Sequence, residues 1–337
     1  MSRGARRRQR QQPRTLQVCL IIVLVLLTVC VLVKAFFLKA PEQKAAELPA
    51  QPASSDTDSQ QSPEEQAAQE ALRSHLERKG GFYTILLSGL DDDNGGSDTN
   101  ILVAVDTVNG YVYGVSIPRD SKAIIDGKAR KINYAYNKGG TELLADTVSE
   151  QLGIPVDYTV SVNLKGFTAL VDAIGGVDFD VPINMDYDDP IQNLSIHFKK
   201  GVQHLSGADA LRVVRFRHNN DGSGYGSEDL GRMATQQKFL KAVAKKMLSA
   251  GNILTKIDDY AKIFNQYVDT NLTVGNLAWL GTEVLKMGVD KIDFSTLPNA
   301  WKYPYIYLDP TETLTLVNTY LNPYVEDRTA DDLNIPG

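Results

Sequence analysis

The sequence predicts an α/β protein: a mixed central β-sheet flanked by helices on both faces, preceded by one N-terminal transmembrane helix. Three observations lead there: a long apolar run near the N-terminus, β-rich runs that open the body, and helical-period segments that then alternate with further strands.

The apolar run comes first. Leu16 to Val33 is eighteen residues in which only Gln17 and Thr28 are polar. At about 1.5 Å per residue, twenty-odd residues span the roughly 30 Å of a hydrocarbon core. A cleaved signal peptide would have a shorter apolar region of ~7–15 residues and a small-residue cleavage site, which does not follow here. Six arginines precede the run (Arg3, Arg6, Arg7, Arg8, Arg10 and Arg14), against Lys34, Lys39 and Lys44 after it. That bias keeps the N-terminus in the cytoplasm and puts the body outside. The only cysteines, Cys19 and Cys30, sit inside the run, which excludes a disulfide framework or cysteine zinc site beyond it. With those arginines set aside, 29 bases face 41 acids. So acidic a body would repel a nucleic-acid duplex, and no nucleic-acid partner is expected.

Residues 41 to 70 are rich in Gln, Ser, Pro, Ala and Glu and have no aromatics, the composition of a tether. The expected divisions are a cytoplasmic tail 1–15, a membrane helix 16–38, an extracellular stalk 39–80, a folded domain 81–325 and a C-terminal tail 326–337.

Strands are expected at 82–88, 99–107 and 110–117, the last two joined at Asn109-Gly110, a strong hairpin signal. Helical spacing follows at 141–152 and 164–174, separated by a strand at 158–162, and Gly175-Gly176 stops the second helix before a strand at 177–181. A longer amphipathic helix runs from about 229 to 249, with Leu230, Met233, Leu240 and Val243 as its apolar stripe. Helices near 256–268, 275–288 and 311–321 flank a strand at 291–297.

Three segments could carry chemistry. Asp91, Asp93 and Asp98 stand in a Gly- and Asp-rich loop between two apolar strands. An EF-hand alignment fails there, because Leu102 occupies the position that needs a bidentate glutamate. Pro118 ends a strand and holds Arg119 and Asp120 beyond it, although a lone Arg-Asp pair is usually a weak surface contact. Arg212, Arg215 and Arg217 precede a glycine-rich loop, then Asp229, Arg232 and Gln236 fall on one polar helix face, away from the Leu230/Met233/Leu240 stripe. Guanidinium forks suit phosphate oxygens, since they stay charged and donate two parallel hydrogen bonds. The bland alternative for each segment is solvated charge. The GSGYG stretch lacks the spacing of a dinucleotide fingerprint.

Taken in order, these segments resemble the LytR-CpsA-Psr family of cell-wall glycopolymer ligases. The matching pieces are Gly89-Leu90-Asp91 with Ser97-Asp98-Thr99, SIPRD at 116–120, and Lys131-Ile132-Asn133 with Gly139-Gly140. They continue with Val171-Asp172 and Gly175-Gly176-Val177, 201–211, Val214-Arg215-Phe216-Arg217, and Asp229 with Arg232 and Gln236. The resemblance implies a phosphotransferase that moves a glycopolymer (teichoic acid, capsule or similar) from an undecaprenyl-pyrophosphate carrier to peptidoglycan with Mg2+ as cofactor. It implies that Asp91 and Asp98 hold the metal, and that Arg119, Lys131, Arg215, Arg217, Arg232 and Gln236 grip the pyrophosphate. Asp98, Arg119, Asp120 and Arg217 are then the expected catalytic residues, with Asp98 or Asp120 as general base. It also implies an apolar tunnel for the lipid between sheet and helices. The cell membrane is a further partner, in a Gram-positive-type envelope.

Three positions depart from the family pattern. Gly96 stands where an arginine is usual, with Arg130 as a substitute, and Ala123 and Thr235 occupy positions that are often basic. A membrane-anchored lipid-binding or regulatory protein with weakened catalysis is therefore the alternative. A DNA-linked attenuator is disfavoured, because only the short arginine tail would face the cytoplasm and so few residues form no DNA-reading fold.

Overall fold

β1 (Phe82–Leu90), β2 (Ser97–Asp106) and β3 (Tyr111–Ile117) form an antiparallel meander in the computed structural model. The structure describes residues 38–44, 75–90, 96–191, 194–226, 228–247 and 262–337. The expected membrane helix, most of the stalk, and Asp91 and Asp93 therefore lie outside the described residues. Among those described, no helix is long and apolar enough to cross a membrane.

The Asn109-Gly110 signal is realised where Gly110 takes φ 73° between β2 and β3. β6 (Tyr158–Asn163) joins β1 in parallel, and β12 (Ile292–Thr296) joins β3 in parallel. With β11 (Val268–Thr270) antiparallel to β6, the sheet runs β11-β6-β1-β2-β3-β12. It is a mixed sheet, as expected.

Strand periodicity decides what covers each face. Leu86, Leu102, Ala104, Val115 and Ile117 point to one side, where they pack with Leu144, Val148 and Leu152 of α1 (Asn133–Leu152). Tyr83, Ile85, Ile101, Val103 and Val112 point to the other, against Leu277 and Leu280. Both faces are buried, so these strands read as nearly continuous apolar runs. Those two leucines belong to α5 (Val274–Met287), which Thr273 caps through a capping box with Asn276.

A second core surrounds α2 (Leu164–Ala173), α3 (Gly207–Arg215) and α4 (Glu228–Met247), and contains Val171, Phe179, Met185, Ile196, Val213, Phe216 and Phe239. Its β elements are β7 (Val177–Val181) paired with β10 (Gly201–Leu205), and β8 (Met185–Asp189) paired with β9 (Leu194–Phe198).

Several expectations change. α1 begins at Asn133 instead of 141, because the helix continues on both sides of a break where Gly139 (φ −137°) and Gly140 (φ 66°) leave helical geometry. The short hairpins β4 (Lys122–Ile125) with β5 (Lys128–Lys131), β8 with β9, and β13 (Asn299–Lys302) with β14 (Tyr305–Leu308) were not foreseen. Each strand is only four or five residues long, and the apolar–polar alternation that β8 and β9 do carry (Met185 and Tyr187; Leu194, Ile196 and Phe198) was passed over. The expected stalk is not free throughout. In residues 38–44 Pro41 is buried, Lys44 N–H donates to Asp157 Oδ1 at 3.0 Å, and Asn276 Nδ2 donates to the Lys39 carbonyl at 2.9 Å. Residues 326–337 also pack back, with Asn318 bridging the Arg328 backbone at 2.8 and 2.7 Å.

Candidate active site

Strand register assembles one end of the sheet. Leu90 at the end of β1 lies opposite Ser97 and Asn163, and Asn100 lies opposite Ile117. Asp98 and Arg119 are thereby neighbours although 21 residues separate them, and the Arg119 guanidinium donates to Asp98 Oδ1.

Two helices close on this end. α3 starts where the Ser206 side chain accepts from Asp209 N–H, and it ends where Phe216 turns extended (ψ 134°) and is fully buried. That anchor fixes the exit of the chain at Arg217 and His218. α3 also lies close to α2: the Gly207 N–H donates to Asp172 Oδ1 at 2.7 Å, and a Cβ on Gly207 would stand 2.2 Å from the Thr168 carbonyl. α4 is pinned to the sheet by Gln237, whose Nε2 donates to Ser116 Oγ (2.9 Å), the Ser295 carbonyl (2.7 Å) and Thr296 Oγ1 (3.1 Å). On the neighbouring face Gln236 Nε2 donates to the Val214 carbonyl at 3.1 Å, which joins α4 to the end of α3.

Between sheet and helices is a cavity of about 620 Å³. Its walls are apolar: Leu87, Ile101, Val160 and Val162 from the sheet, with Phe167, Leu211, Phe239 and Leu240 from the helices. Its polar lining gathers Asp98, Arg119, Arg215, Arg217, Arg232 and Gln236. Arg232 is only 8% exposed, and Arg217 is exposed without an ion pair among the described residues. Guanidinium groups set against an apolar chamber can hold an anionic head whose remainder is a hydrocarbon.

Some expected site residues stand elsewhere. Asp120 and Lys131 do not line the cavity: Lys131 Nζ is 3.1 Å from Asp120 Oδ2, and Asp120 Oδ1 is 3.6 Å from Arg119 Nε, so the pair braces Arg119 from behind. Arg212 turns to solvent and pairs with Asp209 at 2.8 Å. Arg130 stacks over the Tyr134 ring at 5.2 Å and does not reach the cavity, so it is no substitute for an arginine at 96. Asp91 and the Asp229 side chain lie outside the described residues. The polar face of α4 is also not separate from its apolar stripe. Leu240 lines the cavity with Arg232 and Gln236, since steps of four keep them on one side of the helix.

The departures have local causes. Gly96 has φ 124°, and a Cβ there would meet Asn137 Oδ1 at 3.0 Å. An arginine would have to change the backbone and displace Asn137. Thr235 is buried, bonded to the Gly231 carbonyl and to the Tyr225 hydroxyl. Burial raises the Tyr225 phenol above its ordinary value, and the Thr235 bond opposes it. Ala123 is likewise buried, in the core beneath α1.

Sequence inspection missed His218 and Tyr187, which also line the cavity. His218 directly follows Arg217, and that adjacency was its one available signal; Tyr187 comes from β8, where Met185 and Tyr187 alternate with aspartates, a strand pattern that could have located it.

Residues 48–321 match the LytR_cpsA_psr family. A teichoic acid transferase of Bacillus subtilis, TagV, is 37% identical over 202 residues, covering 57% of this chain and 50% of the relative. TagU of Bacillus cereus, also named a polyisoprenyl-teichoic acid–peptidoglycan teichoic acid transferase, is 36% identical, covering 56% of this chain and 60% of its own length. The chain thus spans about half to three-fifths of these relatives. Among solved structures, B. subtilis TagV superposes with a TM-score of 0.60 at 32% identity, over 72% of this chain and 96% of that one. TagT bound to LI-WTA superposes at 0.56 with 25% identity, over 70% and 88% of the two chains. Ordered motifs, mixed sheet and cation-lined cavity agree with this match over most of the chain, which belongs to the LytR-CpsA-Psr family.

Proposed function

We propose that this protein is a phosphotransferase of the cell envelope, which moves a glycopolymer from a polyprenyl-pyrophosphate carrier to a hydroxyl of peptidoglycan. The observation that carries this is the joining of an apolar chamber to four arginines and Gln236 in one cavity. A pyrophosphate diester carries about two negative charges, and phosphoryl transfer is catalysed mostly by holding counter-charge in place beforehand. Arg119, Arg215, Arg217 and Arg232 supply that charge, and the apolar walls take the first part of the isoprenoid. Asp120 and Lys131 hold Arg119 at its angle.

Mg2+ fits the oxygen donors at the sheet end. Asp98 carries the described carboxylate, and the buried Ser97 Oγ beside it has no hydrogen-bond partner among the described residues. Asp98, with Asp91 on the adjoining loop, would hold the ion. When bound it would offset pyrophosphate charge. We further propose that 16–38 anchors the chain in the cell membrane, with residues 1–15 cytoplasmic and the domain outside.

The test uses full-length protein with a polyprenyl-pyrophosphate-linked glycan, peptidoglycan and Mg2+. Transfer is expected, and Asp98→Ala and Arg217→Ala should each lower it by about 100-fold or more. Variants that transfer as well as the parent would remove these residues from the site. Gly96 favours one second reading, a carrier-binding protein with weakened turnover, and carrier binding without transfer by the parent would select it.

A further inference from the structure

We infer that His218 is the catalytic base that receives the proton of the acceptor hydroxyl. This rests on the transfer reaction proposed above, which needs a base within reach of the cavity. Neither expected carboxylate is free for that role. Asp98 accepts from Arg119 through Oδ1 and is assigned to the metal, and Asp120 stands between Arg119 and Lys131 outside the cavity.

His218 has the geometry these lack. It lines the cavity beside Arg217, and its Nδ1 lies 3.0 Å from the Asn219 carbonyl oxygen. A carbonyl only accepts, so Nδ1 carries the hydrogen and the lone pair of the neutral ring is on Nε2. Nε2 has no hydrogen-bond partner among the described residues. The ring is held in place: Tyr187 meets it edge-on at 5.2 Å and 82°. Its loop is fixed as well, since Asn219 N–H donates to the Ser223 carbonyl at 2.7 Å and Asn220 N–H to the Asp186 carbonyl at 2.9 Å. The titratable or charged groups around it are Tyr187 of β8, Arg217 and Asp221 of its own loop, and Asp98, Arg119, Arg215 and Arg232 along the same cavity.

The hydroxyl oxygen bonds to the phosphorus that bears the glycan, and the bond from that phosphorus to the bridging oxygen breaks. The bond's electron pair leaves on polyprenyl phosphate, and the hydroxyl proton passes to Nε2 and later to water.

The experiment compares parent, His218→Gln and His218→Ala for transfer rate and for affinity toward a fluorescent polyprenyl pyrophosphate. The variants should lose about 100-fold in transfer while carrier affinity stays within about threefold. Added imidazole should partly restore transfer in His218→Ala. Transfer within about threefold of the parent overturns the inference, as does an affinity loss as large as the rate loss. If His218→Gln unfolds, His218→Asn replaces it under the same criteria. A parent that binds carrier but never transfers rejects the transferase function, and the base assignment with it.

Discussion

His75 shows how a single side chain ties the segment before β1 to the C-terminal residues. Its ring nitrogens face Asp332 at 3.0 Å and Glu326 at 3.1 Å, and these two hydrogen bonds hold its pKa above the ordinary value. A raised histidine pKa adds stability that is fully present below about 6.5 and is lost as pH rises through the folded value. Melting temperature should therefore fall as pH rises above about 6.5, and fall less in His75→Asn, as followed by circular dichroism. Asp332 adds the opposite edge: burial works against it, but bonds from His75 and Thr329 leave its carboxyl below the ordinary value, so that support is lost in acid.

At the scale of elements, the site depends on how closely α3 approaches α2. Gly207 permits the contact, because any Cβ there would strike the Thr168 backbone oxygen at 2.2 Å, and backbone cannot swing aside as a side chain can. Gly207→Ala should destabilise the fold by about 1–3 kcal/mol, measured by urea unfolding, and should weaken carrier binding because Arg215 rides on the displaced helix. Unchanged stability would mean that α3 can slide without cost. Much at this scale could be read from the sequence. Val177–Val181 was located to the residue, because Gly175-Gly176 stops the helix before it and Val177, Phe179 and Val181 alternate with aspartates. β8, β9, β13 and β14 were passed over: β13 and β14 are four residues long with no alternation, whereas β8 and β9 alternate as Val177–Val181 does but have no helix-stopping glycine pair before them.

For the whole molecule, the consequential feature is a sheet covered on both faces with a gap left on one. Val160 lies in that gap, on β6 opposite Leu87. Val160→Trp should obstruct the chamber and cost at least about tenfold in polyprenyl phosphate affinity, roughly 1.4 kcal/mol, with the circular dichroism spectrum retained. Affinity equal to the parent would put the lipid elsewhere. The docking of residues 38–44 on Asp157 and Asn276 also bears on the proposed anchor. A chain leaving the membrane near residue 38 meets the folded body at once, so the body would stand close to the bilayer and not at the end of a long tether.

Local chemistry written in the sequence determined the strand meander, the alternation of strands and helices, the family, and the residue types gathered in the cavity, arginines and an aspartate. Tertiary structure alone decided which of them meet. Asp98, Arg119, Arg217 and Arg232 share a cavity because strand register and the packing of two helices bring distant segments to one end of a sheet. Asp120 and Lys131 were assigned to the same site yet stand behind it, and His218 was passed over yet lines it. Periodicity along a chain tells which face a side chain takes on its own element, but the opposing surface is contributed by residues far away in sequence, and only folding selects them.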